Sequence, residues 1–253
     1  GAKLKASIKY PGAKWSYAQW ITSLLPPHRF YLEPFFGSGA VFFNKAPAAY
    51  ETINDLDGQV VNFFRVCREN PDALAQAIAL TPFSRQGMLS IQEKRAGEEI
   101  ALTGDAIEDA RRFAVRCCQG FGSKLSDRVG WKNTKHPNGP RNPRIWSGVP
   151  ETIFEMAGRL KNAQIEQTDA VKLIKACNDT NCLVYADPPY PASTRRSRMY
   201  RMEMMTDDEH ERLLRALLDH RGPVVLSGYD NPLYNDMLQG WYKDQRMGHS
   251  NSG

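Results

Sequence analysis

Long apolar runs are missing from this sequence, and no stretch approaches the ~18 consecutive apolar residues that a membrane span needs. No charged-then-apolar leader pattern opens it either, so a cytoplasmic protein is expected. Cysteine is scarce: Cys67, Cys117, Cys118, Cys177 and Cys182 are odd in number and contain no Cys-x-x-Cys pair. They read as reduced thiols, not as a disulfide framework or a zinc site. The five histidines add no ligand-spaced set, so no metal is expected. Low-complexity tracts and internal repeats are also absent. What remains is 253 residues, 42% of them hydrophobic and 10% aromatic, enough for a packed core in one large domain or in one core domain carrying an insertion.

The formal net charge is only +5, but it is unevenly spread. Nine basic residues lie between Arg111 and Trp146 (Arg111, Arg112, Arg116, Lys124, Arg128, Lys132, Lys135, Arg141 and Arg144), against one acid, Asp127. Arg195, Arg196, Arg198 and Arg201 form a second cluster, and Lys3, Lys5, Lys9 and Lys14 a third. The largest cluster is rich in Gly, Pro and Asn and holds Phe121, Trp131 and Trp146. Basic residues interleaved with aromatics and turn formers suit a loop or hairpin that meets a polyanion such as nucleic acid. The same composition also describes a solvated basic loop.

Hydrophobic periodicity places a strand at His28–Glu33, a glycine turn, a helix from Ala40, a strand at Tyr50–Asn54 and a helix over Gly58–Arg68. This is the opening of a doubly wound α/β sheet. Helices follow at Pro71–Leu80, Ile107–Cys118 and Thr152–Leu160 with no parallel-sheet rhythm between them. Residues 71–160 therefore read as an insertion, splitting the core domain into 1–70 and 161–253. The sheet resumes at Ala163–Gln167 and Asn181–Ala186. Thr206, with Glu209 three residues on, opens a helix whose apolar face is Leu213, Leu214, Leu217 and Leu218, and Pro223–Ser227 is one more buried strand.

Two short segments carry the chemistry. Gly37 and Gly39 are spaced G-x-G, but Phe42 stands where a dinucleotide fingerprint needs its third glycine, and no G-K-[ST] follows. Asp55 lies 18 residues beyond Gly37, where an acid accepts hydrogen bonds from ribose hydroxyls. Alone it reads equally well as a helix N-cap; together with the glycines it favours a nucleoside ligand without phosphates, of which S-adenosylmethionine is the obvious candidate. The second segment, Asp187-Pro188-Pro189-Tyr190, ends a buried strand. Proline donates no N–H and stiffens the backbone, so this turn presents two acceptors, the Asp187 carboxylate and the Pro188 carbonyl. Two fixed acceptors match an exocyclic amino group, and Tyr190 offers a flat face for a base.

Lys9-Tyr10-Pro11-Gly12-Ala13-Lys14, Glu33-Pro34-Phe35-Phe36-Gly37-Ser38-Gly39 and Asp187-Pro188-Pro189-Tyr190, in that order, resemble the Dam-like (D12 class, alpha group) DNA adenine-N6 methyltransferases. The likeness covers about the first 70 residues and 163–230. It implies a Rossmann-like methyltransferase sheet with an inserted, mainly helical DNA-recognition domain. It also implies an S-adenosylmethionine pocket of Tyr10, Lys14, Glu33, Pro34, Phe35, Gly37, Ser38, Gly39, Asp55 and Asp169. Asp187, Pro188, Pro189 and Tyr190 would hold a flipped target adenine. In the basic segments Lys124, Arg128, Trp131 and Lys132, with Arg195, Arg196 and Arg198 after the catalytic turn, are the expected DNA contacts. His210 and His220 read as surface or packing residues. Methylation of cytosine N4 or of adenine in RNA, and a silent DNA-binding relative, are the competing readings; a bacterial or phage DNA-modification enzyme is the expected context. Gly1-Ala2 resembles a cloning remnant, and the family usually adds a closing strand after the position of Trp241-Tyr242, which the sequence alone does not identify before Gly253.

Overall fold

The structure, a computed structural model, describes residues 5–9, 14–84, 101–119, 143–189, 205–228 and 231–245. Its strands are β1 (Lys5–Lys9), β2 (Phe30–Glu33), β3 (Tyr50–Asn54), β4 (Ala163–Glu166), β5 (Cys182–Ala186), β6 (Val224–Gly228) and β7 (Tyr242–Gln245). They form one sheet in the order β4-β3-β2-β5-β6-β1-β7, with every recorded pairing parallel. The helices are α1 (Lys14–Leu24), α2 (Ala40–Asn44), α3 (Gly58–Glu69), α4 (Pro71–Ala79), α5 (Ala106–Gln119), α6 (Pro143–Leu160), α7 (Ala170–Ala176), α8 (Asp207–Asp219) and α9 (Pro232–Met237). This is the doubly wound α/β architecture the sequence pattern predicts.

Alternation along the strands sorts side chains into two layers. On β5, Leu183 and Tyr185 face one cluster, with Tyr31, Ile53, Phe42, Phe64 and the buried residues of α4, α5 and α6. Cys182, Val184 and Ala186 face the other, with Leu32, Val224, Leu226 and residues of α7, α8 and α9. A strand covered on both faces must be apolar throughout, and all five residues of β5 are buried. Helix starts follow local chemistry. Asp57, Asp169, Thr206 and Asn231 accept backbone N–H bonds at the first turns of α3, α7, α8 and α9, and Pro71 and Pro232 occupy positions that need no N–H donor.

Three elements differ from the sequence expectation. α6 begins nine residues before Thr152, at Pro143, and carries Pro150 internally; the Thr152 hydroxyl donates to the Gly148 carbonyl in the same stretch. β1 joins β6 to β7 inside the sheet although its sequence KASIK has little apolar character. Tyr242–Gln245, beyond Trp241, already forms the outer strand β7. Among the described residues no helix is long and apolar enough to cross a membrane.

Candidate active site

β2 and β5 are sheet neighbours in register, with Leu32 opposite Val184, so the chain leaves both strands at the same level. From β2 it turns toward β3, on the side away from β5, and the two departing connections leave a crevice at the carboxyl edge of the sheet. The glycine turn (Pro34–Gly39) and the Asp187-Pro188-Pro189 turn meet at this crevice.

The glycine turn is held from below. Phe35 packs with the layer of Leu32 and Val184, and Phe36 enters the opposite layer edge-on to Phe42, Phe43 and Phe64. Gly37 and Gly39 both have left-handed backbone, at φ 53° and 68°. At Gly39, the N-cap of α2, a Cβ would collide with the Phe36 ring and come within 2.8 Å of Phe43, so close packing forbids a side chain. At Gly37 a Cβ would meet nothing within 4 Å, so the space beside this turn is open. Ser38 between them is buried.

Asp55 completes this end. Its carboxylate accepts the Gly37 N–H at 2.8 Å through Oδ2 and the Asp57 N–H at 2.9 Å through Oδ1. The N-cap of α3 is Asp57, which accepts the Gln59 N–H at 2.8 Å, so the capping role open to Asp55 belongs to its neighbour. Leu56 follows with 66% of its surface exposed, an apolar side chain beside the acid that the sequence reading passed over. A small recess of about 10 Å³, no larger than a water molecule, lies alongside, lined in part by Phe36, Ile53, Asp55 and Glu166.

Asn54 is the second residue that reading missed. Its amide, fully buried, donates to the carbonyls of Pro34 and Thr168, both at 3.0 Å, and accepts the Thr168 N–H at 2.9 Å. Its own carbonyl accepts the Phe36 N–H at 2.8 Å. One side chain thus ties the turn after β2 to the turn after β4. Asp169, next to Thr168, caps α7 through the Lys172 N–H and pairs with both Nη atoms of Arg212, which hold its carboxyl below the usual range. Glu33, only 2% exposed, accepts the Tyr31 hydroxyl at 2.5 Å.

At the other end Pro188 is buried, and Asp187 and Pro189 are half-buried. Tyr234 of α9 sits close enough to feel the Asp187 charge: burial raises its phenol, and Asp187 raises it further. The Tyr234 hydroxyl lies 2.6 Å from His210 Nδ1. His210 and His220 are buried packing residues, the latter with Nε2 2.8 Å from the Cys182 carbonyl. Tyr10, Tyr190, Lys124, Arg128, Trp131, Lys132, Arg195, Arg196 and Arg198 lie outside the described residues, as does the side chain of Lys14, whose backbone opens α1.

Part of the basic cluster proves to be structural. Arg111 and Arg112 both pair with Glu108, one turn earlier and just outside the acid-poor window. Arg116 is only 3% exposed and reaches Gln59 at 3.3 Å. Trp146 is buried, its indole N–H donating to the Thr81 carbonyl at 2.7 Å. Arg116 and Trp146 pack α5 and α6 into the core, whereas Arg111 and Arg112 stay partly exposed with their charge paired to Glu108. None of the five cysteines is in a disulfide, and burial pushes the Cys67 and Cys182 thiols up to about 12, so they too are packing residues.

Residues 10–249 match the model of the D12 class N6 adenine-specific DNA methyltransferases. The chain belongs to that family. It is therefore an enzyme that methylates adenine N6 in DNA, and cytosine and RNA targets and a silent binder fall away. Similar proteins span nearly the whole methyltransferase chain. A type II methyltransferase, M1.LlaDCHI of Lactococcus lactis subsp. cremoris, is 29% identical over 95% of this chain and 85% of its own length. A DNA adenine methylase of Serratia marcescens is 23% identical over 95% and 88%. A DNA N-6-adenine-methyltransferase of Escherichia phage P1 is 26% identical over 93% of this chain but 32% of its own length.

Proposed function

We propose that the methyl donor is S-adenosylmethionine, held at the glycine turn, and that the target adenine is flipped out of duplex DNA onto the Asp187-Pro188-Pro189-Tyr190 turn. The observation that carries this reading is the adjacency of the two turns on neighbouring strands β2 and β5. The residues present fit the cofactor: Gly37 opens onto space that any side chain would fill, and Asp55 stands beside it with its carboxylate oriented by two backbone N–H groups. Glu33, Pro34, Phe35, Gly37, Ser38 and Gly39, with Tyr10 and Lys14, would hold the amino-acid portion. Asp55 would hold the ribose, and Asp169, tied through Thr168 to Asn54, would stand at the adenine end.

When bound, this cofactor supplies an electrophilic methyl group on a sulfonium. The protein's part is to orient the nucleophile. The lone pair of adenine N6 is delocalised into the ring, and acceptors at Asp187 and Pro188 draw on its two hydrogens and localise it. Positioning and electrostatics then lower the barrier to in-line displacement. Methylation makes the N6 proton acidic, and the Asp187 carboxylate is placed to accept it. A base inside the duplex cannot reach this turn, which is why extrusion is required.

The chain leaves the sheet after α3 and returns at β4, so 1–70 and 161–253 are read as the catalytic unit and 71–160 as an insert for target recognition, although its helices α4, α5 and α6 pack on the sheet's own core. Within the insert, Lys124, Arg128, Trp131 and Lys132 would meet the duplex, joined by Arg195, Arg196 and Arg198 beside the flipped base. The test is transfer of labelled methyl from S-adenosylmethionine to duplex DNA, followed by digestion to nucleosides. Label in N6-methyladenine that disappears in Asp187→Ala, while calorimetric binding of S-adenosylhomocysteine persists, is the expected result. Transfer by Asp187→Ala at the normal rate would remove the assigned role.

A further inference from the structure

A buried chain of polar contacts runs behind the glycine turn. Tyr31 and Glu33 stand two residues apart on β2, on the same face of the strand. Both are buried, and the Tyr31 hydroxyl donates to Glu33 Oε1 at 2.5 Å. The Tyr31 ring is itself clamped. The Lys45 ammonium lies 4.3 Å from its centroid, within cation–π range, and donates at 2.9 Å to Glu51. Glu51 in turn accepts two bonds from Arg159 of α6, at 2.6 and 2.9 Å, and the Arg159 guanidinium stacks 3.7 Å from the Phe42 ring. Lys45 is 5% and Glu51 6% exposed, so this assembly is part of the interior and not a surface ion pair.

We propose that Tyr31 is a positioning residue for cofactor capture: its hydroxyl, carried on a ring held by Lys45, fixes the rotation of the Glu33 carboxylate against the cationic amino group of the cofactor's amino-acid portion. The inference rests on the reading of Glu33 as part of the cofactor pocket. Burial and the neighbouring Glu33 charge hold the Tyr31 phenol well above its ordinary range, so at working pH Tyr31 is the donor and Glu33 the acceptor. A hydrogen bond donated to the carboxylate favours its charged form over the neutral one, and the charged form is the one that attracts an ammonium. Fixing one carboxylate oxygen also removes rotamer freedom that binding would otherwise have to remove.

Two ligands separate positioning from general support. S-adenosylhomocysteine carries the amino-acid portion, and 5′-methylthioadenosine has the same nucleoside without it. Calorimetry on the full chain with Tyr31→Phe is expected to show S-adenosylhomocysteine binding weakened about tenfold, as for loss of a hydrogen bond to a charged group, with 5′-methylthioadenosine binding unchanged. Equal weakening of both ligands, or of neither, overturns the proposal, since a merely structural tyrosine would not discriminate between them. Glu33→Gln is measured beside it. If Glu33→Gln binds S-adenosylhomocysteine normally, the pocket reading of Glu33 fails and the inference falls with it. If Glu33→Gln weakens binding and Tyr31→Phe does not, only the positioning role fails. Urea unfolding of Tyr31→Phe at the calorimetry temperature verifies that the protein measured is folded.

Discussion

Alanine at Gly37 and alanine at Gly39 add the same methyl group two residues apart, yet the structure assigns them different costs. Both positions have left-handed backbone, at φ 53° and 68°. An L-residue there costs about 1–2 kcal/mol, offset in part by about 0.4–1 kcal/mol from the stiffer unfolded chain. At Gly37 the account ends there, because the new Cβ meets nothing within 4 Å. At Gly39 the methyl runs into Phe36 and Phe43, and Phe36 is wedged against Phe42 and Phe64 at centroid distances of 5.5 and 4.8 Å. A ring so enclosed cannot swing aside, so overpacking adds about 1–3 kcal/mol. Gly39→Ala is thus expected to lose about 1–4.5 kcal/mol in urea unfolding and Gly37→Ala about 0–1.5 kcal/mol. Ligand binding should reverse the order of interest. The Gly37 methyl fills space assigned to the cofactor, and a steric penalty of about 1–3 kcal/mol corresponds to roughly 5- to 150-fold weaker S-adenosylhomocysteine binding by a protein that is still folded. Equal stability losses in the two variants would refute the packing argument. Undiminished ligand binding by Gly37→Ala would refute the placement of the cofactor.

Other predictions follow from the same contacts. Asn54→Ala strands the Thr168 N–H and two carbonyls in the interior, and a loss of about 3 kcal/mol in denaturant unfolding is expected, together with weaker cofactor binding as the turns after β2 and β4 separate; a loss below about 1 kcal/mol would show that water replaces the amide. Glu108 is held at about 2 by Arg111 and Arg112, against an ordinary 4.5, so its stabilisation is complete above about pH 4.5 and lost as pH falls toward 2. Because the pair is partly open to solvent, Glu108→Gln should cost only about 0.5–1 kcal/mol at pH 7, and the stability gap from the parent protein should close in acid-titrated unfolding curves. Replacing Arg128 and Lys132 together by Ala should lower the slope of log affinity for duplex DNA against log salt by about 2. The same change at Arg111 and Arg112, which Glu108 already occupies, should leave that slope in place.

The sheet was legible because its strands obey local rules. Asn181–Ala186 has to be apolar on both faces, and Tyr50–Asn54 and Pro223–Ser227 are bounded by turn formers. Where the local signal is weak the reading stopped short. The KASIK strand is placed by its neighbours β6 and β7, and the first half of α6 was hidden by Gly148 and Pro150, residues that elsewhere end helices. In the site, the glycine spacing and Asp55 announced themselves, but Asn54 did not. Its partners are 20 and 114 residues away, and nothing near it in the chain requires a buried amide. The counting of Arg116 and Trp146 with the polyanion-facing cluster has the same origin. Counting charge along a sequence does not register that a helix turns some of its cations inward or pairs them with an acid one turn back.

The distribution of labour between the two turns follows from their composition. The turn after β2 carries Gly37 with its N–H engaged by Asp55, and Gly39 pressed on Phe36, so its backbone is fixed by packing below and left bare above. That suits a ligand approached by main chain. The turn after β5 has no N–H to give at Pro188 or Pro189 and leads with a carboxylate, which suits a ligand that donates hydrogens. On the proposed assignment, the two hydrogens of the amino group meet the acceptors at Asp187 and Pro188, and the ribose hydroxyls of the cofactor meet the Asp55 carboxylate beside the bare glycine turn. On that proposal, the parallel register that sets Leu32 beside Val184 brings the two ligands to neighbouring turns of one sheet edge.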